Sequence, residues 1–492
     1  MTQFNRRDVL KRMGLGLAAA AGGGVFELTR RCGAAGRRGD HLNVILFHID
    51  DLGWKDLGCQ GSRYYETPNI DRLASQGVRF TDAYAACAVC SPTRAALMTG
   101  RYPARHGVTD WIRARFQGGD IPPDHKNPDD YIDGKNRKLL CPENHLWMES
   151  DEVTIAEALE PAGYVSCHIG KWHLGAEPWW PGRQGFDYNV GGCDYGQPPN
   201  YFDPYCRKGQ GCIPTLERRK EGEYLTDREA DEAVAFIQKY KNRPFFLQMA
   251  HYGVHTPIQG KEGLVEKYKN KPKYGQKNPT YAAMVESIDH SVGQILDTVE
   301  KLGLTENTLV IFTSDNGGLS NVTNNDPLRA GKGWPYEGGI RVPLIIRYPG
   351  VTKPGTVSHE PVTSVDYLPT ILDAAGQPLP SGRAIDGESL LGRLASGGQE
   401  PLDRDAIFWH FPHYRGGRIG PYSIVRAGRW KLLKWWEGPK FELYDLENDL
   451  GEENDLADEK PEKVRELRAR LDQWLEMADA KLPRPNPDYQ GS

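Results

Sequence analysis

Cys90-Ser91-Pro92-Thr93-Arg94, followed by Ala95-Ala96-Leu97-Met98-Thr99-Gly100-Arg101, carries the densest chemistry in this chain. A thiol at a predicted helix start, with Pro92 where a first-turn proline fits and Arg94 one step inside, makes a cradle for a nucleophile. The positive end of the helix dipole and the arginine favour an anion, at Cys90 itself or bound beside it. Taken alone, Cys90 reads as a buried structural cysteine. Its company elsewhere in the chain argues against that reading.

Asp50-Asp51 and Asp315-Asn316-Gly317-Gly318 each follow an apolar run. Singly, each pair is an ordinary turn or cap. Together they set three carboxylates and one amide oxygen at two strand ends, an oxygen-only set suited to Ca²⁺ or Mg²⁺ and unattractive to thiophilic metals. Lys171 and His173, in Gly170-Lys171-Trp172-His173-Leu174-Gly175, lie two apart after a third run. On an extended segment that spacing points both to one side.

These residues need strands to hold them. Residues 43–49, Asn-Val-Ile-Leu-Phe-His-Ile, predict a buried strand ending at Asp50. Similar runs occupy 164–169, 244–250, 308–313 and 342–348, with helical patterns at 69–76, 152–159, 227–240 and 281–302. Thr67 or Asn69 would cap the first helix and Gly77 would end it. The alternation predicts an α/β fold with a largely parallel sheet, in which ligands collect at the carboxyl ends of strands. Residues 116–148 are charged and Pro-rich and read as a long surface insertion. Residues 392–400 read as a polar hinge after the Asp386-Gly387 turn. Beyond it, short strands at 406–410, 423–427, 430–435 and 441–444 and an amphipathic helix at 461–480, with Leu467, Leu471 and Trp474 inward, predict a small α+β domain.

At 492 residues the chain can build more than one domain. The net charge of -5 gives no reason to expect nucleic acid or an anionic membrane as a partner, so an anionic ligand must be held by a local cluster of bases. Asn5-Arg6-Arg7-Asp8-Val9-Leu10-Lys11 matches a twin-arginine motif, and the Gly/Ala-rich residues 13–26 are too short for a membrane span. We therefore expect residues 1–39 to engage the twin-arginine export machinery, and the mature protein to be periplasmic or secreted without stable membrane insertion. With Cys32 and Cys90 set aside, an odd number of the nine cysteines remains, which is no disulfide framework. Cys193, Cys206 and Cys212 lie close enough for one local bridge, and the spacing does not choose the pair. Cys87 and Cys90 form a Cys-x-x-Cys spacing, but no second metal pair follows.

The order Cys-x-Pro-x-Arg then Thr-Gly-Arg resembles the signature of the formylglycine-dependent sulfatases. Gly170-Lys171-Trp172-His173, His255-Thr256-Pro257, Lys332 in Arg329-Ala330-Gly331-Lys332-Gly333, and Tyr102-Pro103-Ala104-Arg105-His106-Gly107 match the same family in its order. The resemblance extends through Asp366-Tyr367-Leu368-Pro369-Thr370 to Leu443-Tyr444-Asp445-Leu446. It implies a large alkaline-phosphatase-like domain, a mainly parallel sheet flanked by helices, at 40–395. A small C-terminal α+β domain with an antiparallel sheet would follow at 396–492.

The resemblance also implies that a maturation enzyme converts Cys90 to formylglycine. One Ca²⁺ would be held by Asp50, Asp51, Asp315, Asn316 and the modified Cys90. Arg94, Lys171 and Lys332 would surround a sulfate, with His255 as general acid and His173 as the base that releases it. Arg105 and His106 would support the site. A further polar contact to sulfate is expected within Cys193-Asp194-Tyr195-Gly196.

The Asp-Asp-Leu-Gly-Trp start resembles the N-acetylgalactosamine-6-sulfatase and arylsulfatase A-like branch. That implies O-sulfate removal from galactose or N-acetylgalactosamine units of a polysaccharide, without fixing the position. Trp54, Trp111, Trp179, Trp180 and Trp334 are candidate sugar platforms, with core packing the alternative for each. Two rival functions use the same residues: a phosphodiesterase or phosphonate monoester hydrolase, and a catalytically dead exported glycan-binding protein.

Overall fold

The computed structural model of the chain describes residues 41–132, 136–438 and 440–490; the expected export signal at 1–39 lies outside them. Eight strands form the main sheet: β1 (Asn43–Ile49), β2 (Val78–Phe80), β3 (Val165–Gly170), β4 (Tyr188–Val190), β5 (Phe245–Ala250), β6 (Thr308–Ser314), β7 (Leu344–Arg347) and β8 (Thr356–Ser358). Their order is β8-β2-β7-β6-β1-β5-β3-β4. Strands β4, β3, β5, β1 and β6 run parallel, and β7 lies antiparallel between β6 and β2. The run at 342–348 is thus a strand, but reversed. A parallel neighbour needs a crossover, usually a long helix; the only helix between β6 and β7 is the short turn Glu337–Ile340.

Strand β1 shows why its sequence is apolar without alternation. Val44 and Leu46 pack with Leu97 and Met98 of α2 (Cys90–Thr99) and Leu368 and Ile371 of α5 (Tyr367–Ala374). Ile45, Phe47 and Ile49 pack with Leu73 of α1 (Pro68–Gln76), Ala233 of α3 (Leu225–Tyr240) and Val292 of α4 (Pro279–Lys301). Both faces are buried, as parallel sheets require.

Three local expectations give way to tertiary contacts. Neither Thr67 nor Asn69 caps α1 with its side chain; Asp289 of α4 accepts from the backbone N–H of Asn69 and Ile70, both at 2.9 Å. The 116–148 segment is anchored rather than merely decorative. Its Trp147 is buried and stacks on Trp179 with ring centroids 4.0 Å apart, and Leu139–Pro142 pairs with Arg484–Pro485. The expected hinge contains a helical turn, Leu391–Ala395, with Leu394 buried. Cys206 and Cys212 form a disulfide, leaving Cys193 free and buried. Among the described residues no helix is long and apolar enough to cross a membrane.

After the main sheet comes an antiparallel one: β9 (Ile407–Phe411), β10 (Tyr422–Ala427), β11 (Trp430–Trp435) and β12 (Lys440–Asp445). Its Val425, Leu432 and Leu443 pack against Leu467, Leu471 and Trp474 of α6 (Pro461–Met477). Its Ile424, Leu433 and Tyr444 pack against Tyr84, Cys87-Ala88-Val89, Tyr336 and Ile340. The second sheet therefore buttresses the residues just before Cys90.

His410 on β9 joins this sheet to the C-terminal segment. Its Nε2 donates to the Lys481 carbonyl at 3.0 Å, and its Nδ1 lies 2.8 Å from Ser423 Oγ. Ser423 Oγ also receives the Trp436 indole N–H at 2.9 Å, so its own hydrogen is left for Nδ1 and the ring is neutral. Burial lowers the His410 pKa to about 4. A depressed histidine stabilises the fold fully above its unfolded value, about 6.5, and loses that contribution as pH falls through about 4. The gap in thermal midpoint between wild type and His410→Gln is expected to be widest near neutral pH and to narrow toward pH 4. Asp56 and Asp289, raised by burial to about 6, act in the opposite sense in both proteins and cancel in that difference. A gap independent of pH would show that the ring is not held neutral.

Candidate active site

Helix α2 starts at Cys90 because Val89 is extended and Pro92 removes one of the unpaired N–H groups of the first turn. All ten of its residues are buried, so the helix is enclosed on every side. Thr93 Oγ1 receives the Cys87 N–H at 3.1 Å and ties the approach to the first turn. Cys90 Sγ sits 3.7 Å from Asp50 Oδ1 and 3.3 Å from Lys332 Nζ. The thiol is pushed up to about 11, because burial outweighs the neighbouring Lys171 and Lys332. The helix start therefore does not supply a thiolate, as its sequence position alone suggested. At neutral pH Cys90 is a protonated, weak nucleophile.

Three carboxylates converge at the ends of β1 and β6. Lys171 Nζ donates to Asp50 Oδ2 at 2.7 Å, and Lys332 Nζ to Asp51 Oδ1 at 2.5 Å. Asp315 Oδ2 takes Arg94 Nε and Nη2 at 2.9 and 2.7 Å, and its Oδ1 takes the Asp51 N–H at 3.1 Å. Asn316 Nδ2 donates to Asp51 Oδ1 at 2.8 Å, whereas Asn316 Oδ1 is buried without a partner among the described residues. Asp50, Asp51, Cys90 and His255 each bring one ligand atom within 4.8 Å of the others. Asp315 stands outside that group; both its oxygens are already engaged.

Electrostatics test whether a cation fits here. Burial raises Asp315, but Arg94 and Lys171 outweigh it and hold this carboxyl well below the usual range. Asp50 is pushed the other way: burial, helped by Asp315 and Asp51, exceeds the pull of Lys171. The three bases thus leave Asp50 short of positive charge. An orphaned amide oxygen beside underneutralised carboxylates suits a hard divalent cation.

The bases differ from the extended arrangement expected. His173 has φ 61°, so its backbone leaves the extended conformation expected of it. Its Nε2 donates to the Ile112 carbonyl at 2.7 Å, its N–H to the Cys193 carbonyl at 2.9 Å, and its own carbonyl receives Ser91 Oγ at 2.9 Å. Burial, then Lys171, depresses it well below the usual histidine value. The result is a neutral ring whose Nδ1 is buried and unpartnered among the described residues, a lone pair available to a base. His255 Nε2 lies 3.6 Å from Asp51 Oδ2, with Nδ1 2.9 Å from the Thr256 carbonyl. Burial, then Lys332, lowers His255 to about 3.

Residues around the site fall into place unevenly. Arg105 pairs with Asp386 at 2.7 Å and donates to the Met477 carbonyl at 3.0 Å, a supporting role. Asp194 is spent on the Arg115 N–H at 3.0 Å. The polar side chain brought beside His255 is Gln197, which accepts from Thr256 Oγ1 at 3.3 Å. It lies one residue past the expected segment, without a sequence signal of its own. Ser91 is another such residue: it receives the Ile112 N–H at 3.0 Å while holding His173. Of the tryptophans, Trp179 is core and Trp54 is tied to the Thr81 carbonyl at 3.0 Å, whereas Trp111 stays partly exposed.

The family model for sulfatases matches residues 42–377, which include the carboxylates, Cys90, Arg94, both lysines and both histidines described above. The chain belongs to the sulfatase family. A second model, for the C-terminal part of N-sulphoglucosamine sulphohydrolase, matches residues 330–481. A sulfatase of Formosa agariphila is 35% identical, with 88% of each chain covered. Mouse N-acetylgalactosamine-6-sulfatase is also 35% identical, over 80% of this chain and 73% of that one. The solved structure of Ps i-CgsB in complex with k-i-k-neocarrahexaose superposes with a TM-score of 0.73 and 31% identity, covering 88% of this chain and 92% of that one. The sheet and its helices are thus those of the alkaline-phosphatase-like sulfatases, and the protein is a sulfuric ester hydrolase.

Removing one partner of a buried ion pair strands the other. Lys171→Met is expected to cost about 3–5 kcal/mol of unfolding free energy in urea titration, and Asp50→Asn with Lys171→Met together should recover most of it. Equal destabilisation in the single and double variants would refute the pairing.

Proposed function

We propose that this sulfatase removes O-sulfate from carbohydrate, from galactose or N-acetylgalactosamine units of a polysaccharide, after Cys90 has been converted to formylglycine. The observation that carries the reading is the Cys90 side chain itself. It lies 3.3 Å from a lysine and 3.7 Å from an aspartate, yet its thiol is raised to about 11. A thiol so placed gains little by acting as a thiolate and much by being replaced. The hydrated aldehyde would supply one hydroxyl to attack sulfur, breaking the S–O bond to the sugar, and a second whose deprotonation expels the sulfate from the first oxygen and restores the aldehyde. Asp50, Asp51, Asp315 and Asn316 would hold a Ca²⁺ beside it, which supplies charge neutralisation at the reacting oxygens.

The chain's own residues account for the remaining work. Arg94, Lys171 and Lys332 oppose charge on the sulfate oxygens. All three are already fixed by carboxylates, so little reorganisation is needed when substrate arrives. A sugar alcohol is a poor leaving group and needs a proton. His255 is our general acid: a sulfate ester beside it adds the negative charge needed to raise its depressed pKa, and Lys332 lies close by. His173 accepts the proton whose loss releases sulfate, through the free Nδ1. The named relatives favour saccharides, since one is an N-acetylgalactosamine-6-sulfatase and one solved structure holds a neocarrahexaose. Residues 1–39 would direct twin-arginine export, placing the enzyme where extracellular polysaccharide is found.

Three outcomes are expected. Protein coproduced with a maturation enzyme should show the aldehyde in the Cys90 peptide by mass spectrometry and release sulfate from one regioisomer among 2-, 4- and 6-O-sulfated galactose and N-acetylgalactosamine saccharides. Cys90→Ala should release none. Release of phosphate instead, from matched esters, would move the assignment to a phosphoester hydrolase. His255→Ala should lower kcat on the sugar sulfate by about 10²–10⁴-fold, and far less on 4-nitrocatechol sulfate, whose leaving group needs no proton. Equal losses on both would remove His255 as the acid. Calcium at 100 times its Kd should add about 2.7 kcal/mol of stability, seen as a higher thermal midpoint, and Asp51→Ala should abolish that gain.

A further inference from the structure

Most arginines near the second sheet are matched by carboxylates, such as Arg341 and Arg426 with Asp82 and Arg404 with Asp366. One group is not. Among the described residues, the guanidinium groups of Arg113, Arg115, Arg137, Arg415 and Arg418 have no hydrogen-bonded or ion-paired acid. Two of the five are tied to the catalytic residues by short connections.

Arg415 opens a tight turn between β9 and β10, closed by its N–H to the Ile419 carbonyl at 2.9 Å. Its side chain lies against Gly333, where an added Cβ would fall 2.4 Å from Arg415 Nε. Gly333 follows Lys332, and its own N–H donates to the Ala88 carbonyl at 2.8 Å, two residues before Cys90. Arg113 lies on the segment whose Ile112 carbonyl holds His173 and whose Ile112 N–H is held by Ser91. Its guanidinium sits 5.7 Å from the centre of the Trp111 ring. The two segments are joined directly, because Thr109 Oγ1 lies 2.7 Å from His413 Nε2. Asp110 is close enough to feel both arginines: its carboxyl, raised by burial to about 6, is pulled back by Arg415 and Arg113.

We infer that Arg113 and Arg415 form an anion subsite at the mouth of the active site, which binds a second sulfate or carboxylate on the saccharide unit next to the one being desulfated, with Trp111 against the sugar ring. Both arginines are accessible, Arg113 exposed and Arg415 half-buried. Sulfate accepts the planar guanidinium fork well, and guanidinium groups that bond no acid have no direct ion-pair contact to break when it arrives, Asp110 acting on them only at longer range. The subsite draws on both parts of the chain, the 109–117 loop and the second sheet. It rests on the saccharide reading above and deepens it: the enzyme would select multiply charged chains rather than isolated sulfated sugars.

The test uses Arg113→Gln and Arg415→Gln in matured enzyme, with a kappa–iota–kappa neocarrahexaose, a chondroitin 6-sulfate hexasaccharide and 4-nitrocatechol sulfate as probes. For a hexasaccharide that the wild type desulfates, each variant should raise KM about tenfold with kcat nearly unchanged, as expected for loss of one charge-assisted contact. Turnover of 4-nitrocatechol sulfate should be unaffected, and the salt dependence of the hexasaccharide KM should flatten. An unchanged hexasaccharide KM in both variants would overturn the inference while leaving the sulfatase reading intact. Arg113 is exposed, so its variant serves even where Arg415→Gln unfolds.

If neither hexasaccharide is desulfated, the saccharide reading fails separately, and calorimetric titration of Cys90→Ala protein with the same two hexasaccharides decides the subsite. Binding weakened by both arginine substitutions supports it. Binding unaffected by them, or absent from Cys90→Ala protein altogether, overturns it.

Discussion

Six charged side chains buried at the carboxyl end of one sheet govern this molecule. Asp50, Asp51 and Asp315 meet Lys171, Lys332 and Arg94 with almost no solvent between them. Such groups are costly to bury, and removing one member strands another, so the pocket tolerates little loss. The arrangement also explains the chemistry. Bases fixed by carboxylates are in place before an anion arrives, and a carboxylate still short of positive charge has room for a metal ion. The same burial that makes the pocket expensive keeps Cys90 and His173 uncharged.

The surrounding fold can be understood as what this cluster requires. Strands β1 and β6 deliver the acids, β3 and β5 deliver the two histidine loops, and α2 delivers Cys90 and Arg94 from beneath. Gly317 allows the close approach that completes the set: a Cβ there would fall 1.9 Å from the Gly338 carbonyl oxygen. That contact brings the turn Glu337–Ile340 against the Asp315-Asn316 loop. Glu337 is in turn held by Lys431 of β11 at 3.0 Å, and its N–H by Glu452 at 2.7 Å. Burial raises Glu452 to about 7 against the pull of Lys431, while Lys431 and Arg341 overcome burial to hold Glu337 near 2. The second sheet therefore fixes the loop that carries Lys332, and it does so with charges as well as with apolar packing.

The same contact between sheets creates the rim of the site. A turn from the second sheet meets the loop behind His173, and each carries an arginine, Arg415 and Arg113, that bonds no acid among the described residues. Substrate choice in this architecture falls naturally to such loops, because the pocket itself is too tightly paired to vary. A sulfatase can in this way keep one reactive centre and change the chain it reads.

How much of this was legible beforehand differs by level. Local pattern sufficed for the strands at 43–49, 244–250 and 308–313 and for the C-terminal sheet, since continuous apolar runs and alternation report burial directly. The ordered motifs from Asp50 to Lys332 sufficed for the family, because each is a short contiguous string. What the sequence left open depended on neighbours distant in the chain. The direction of β7, the cap of α1 by Asp289, the anchoring of 116–148 by Trp147 and the Cys206–Cys212 pairing are all decided by residues far apart or by alternatives of equal local quality. So are the states of the ionisable groups. A cysteine at a helix start reads as activated, yet burial raises its thiol; the segment after β3 reads as extended, yet His173 takes a positive φ. Sequence by itself determined the family and put forward the residues proposed for its chemistry. Tertiary structure decided which side chains carry a proton, which are already paired, and which, like Arg113 and Arg415, bond no acid, because charge and desolvation depend on everything packed within a few ångströms rather than on order along the chain.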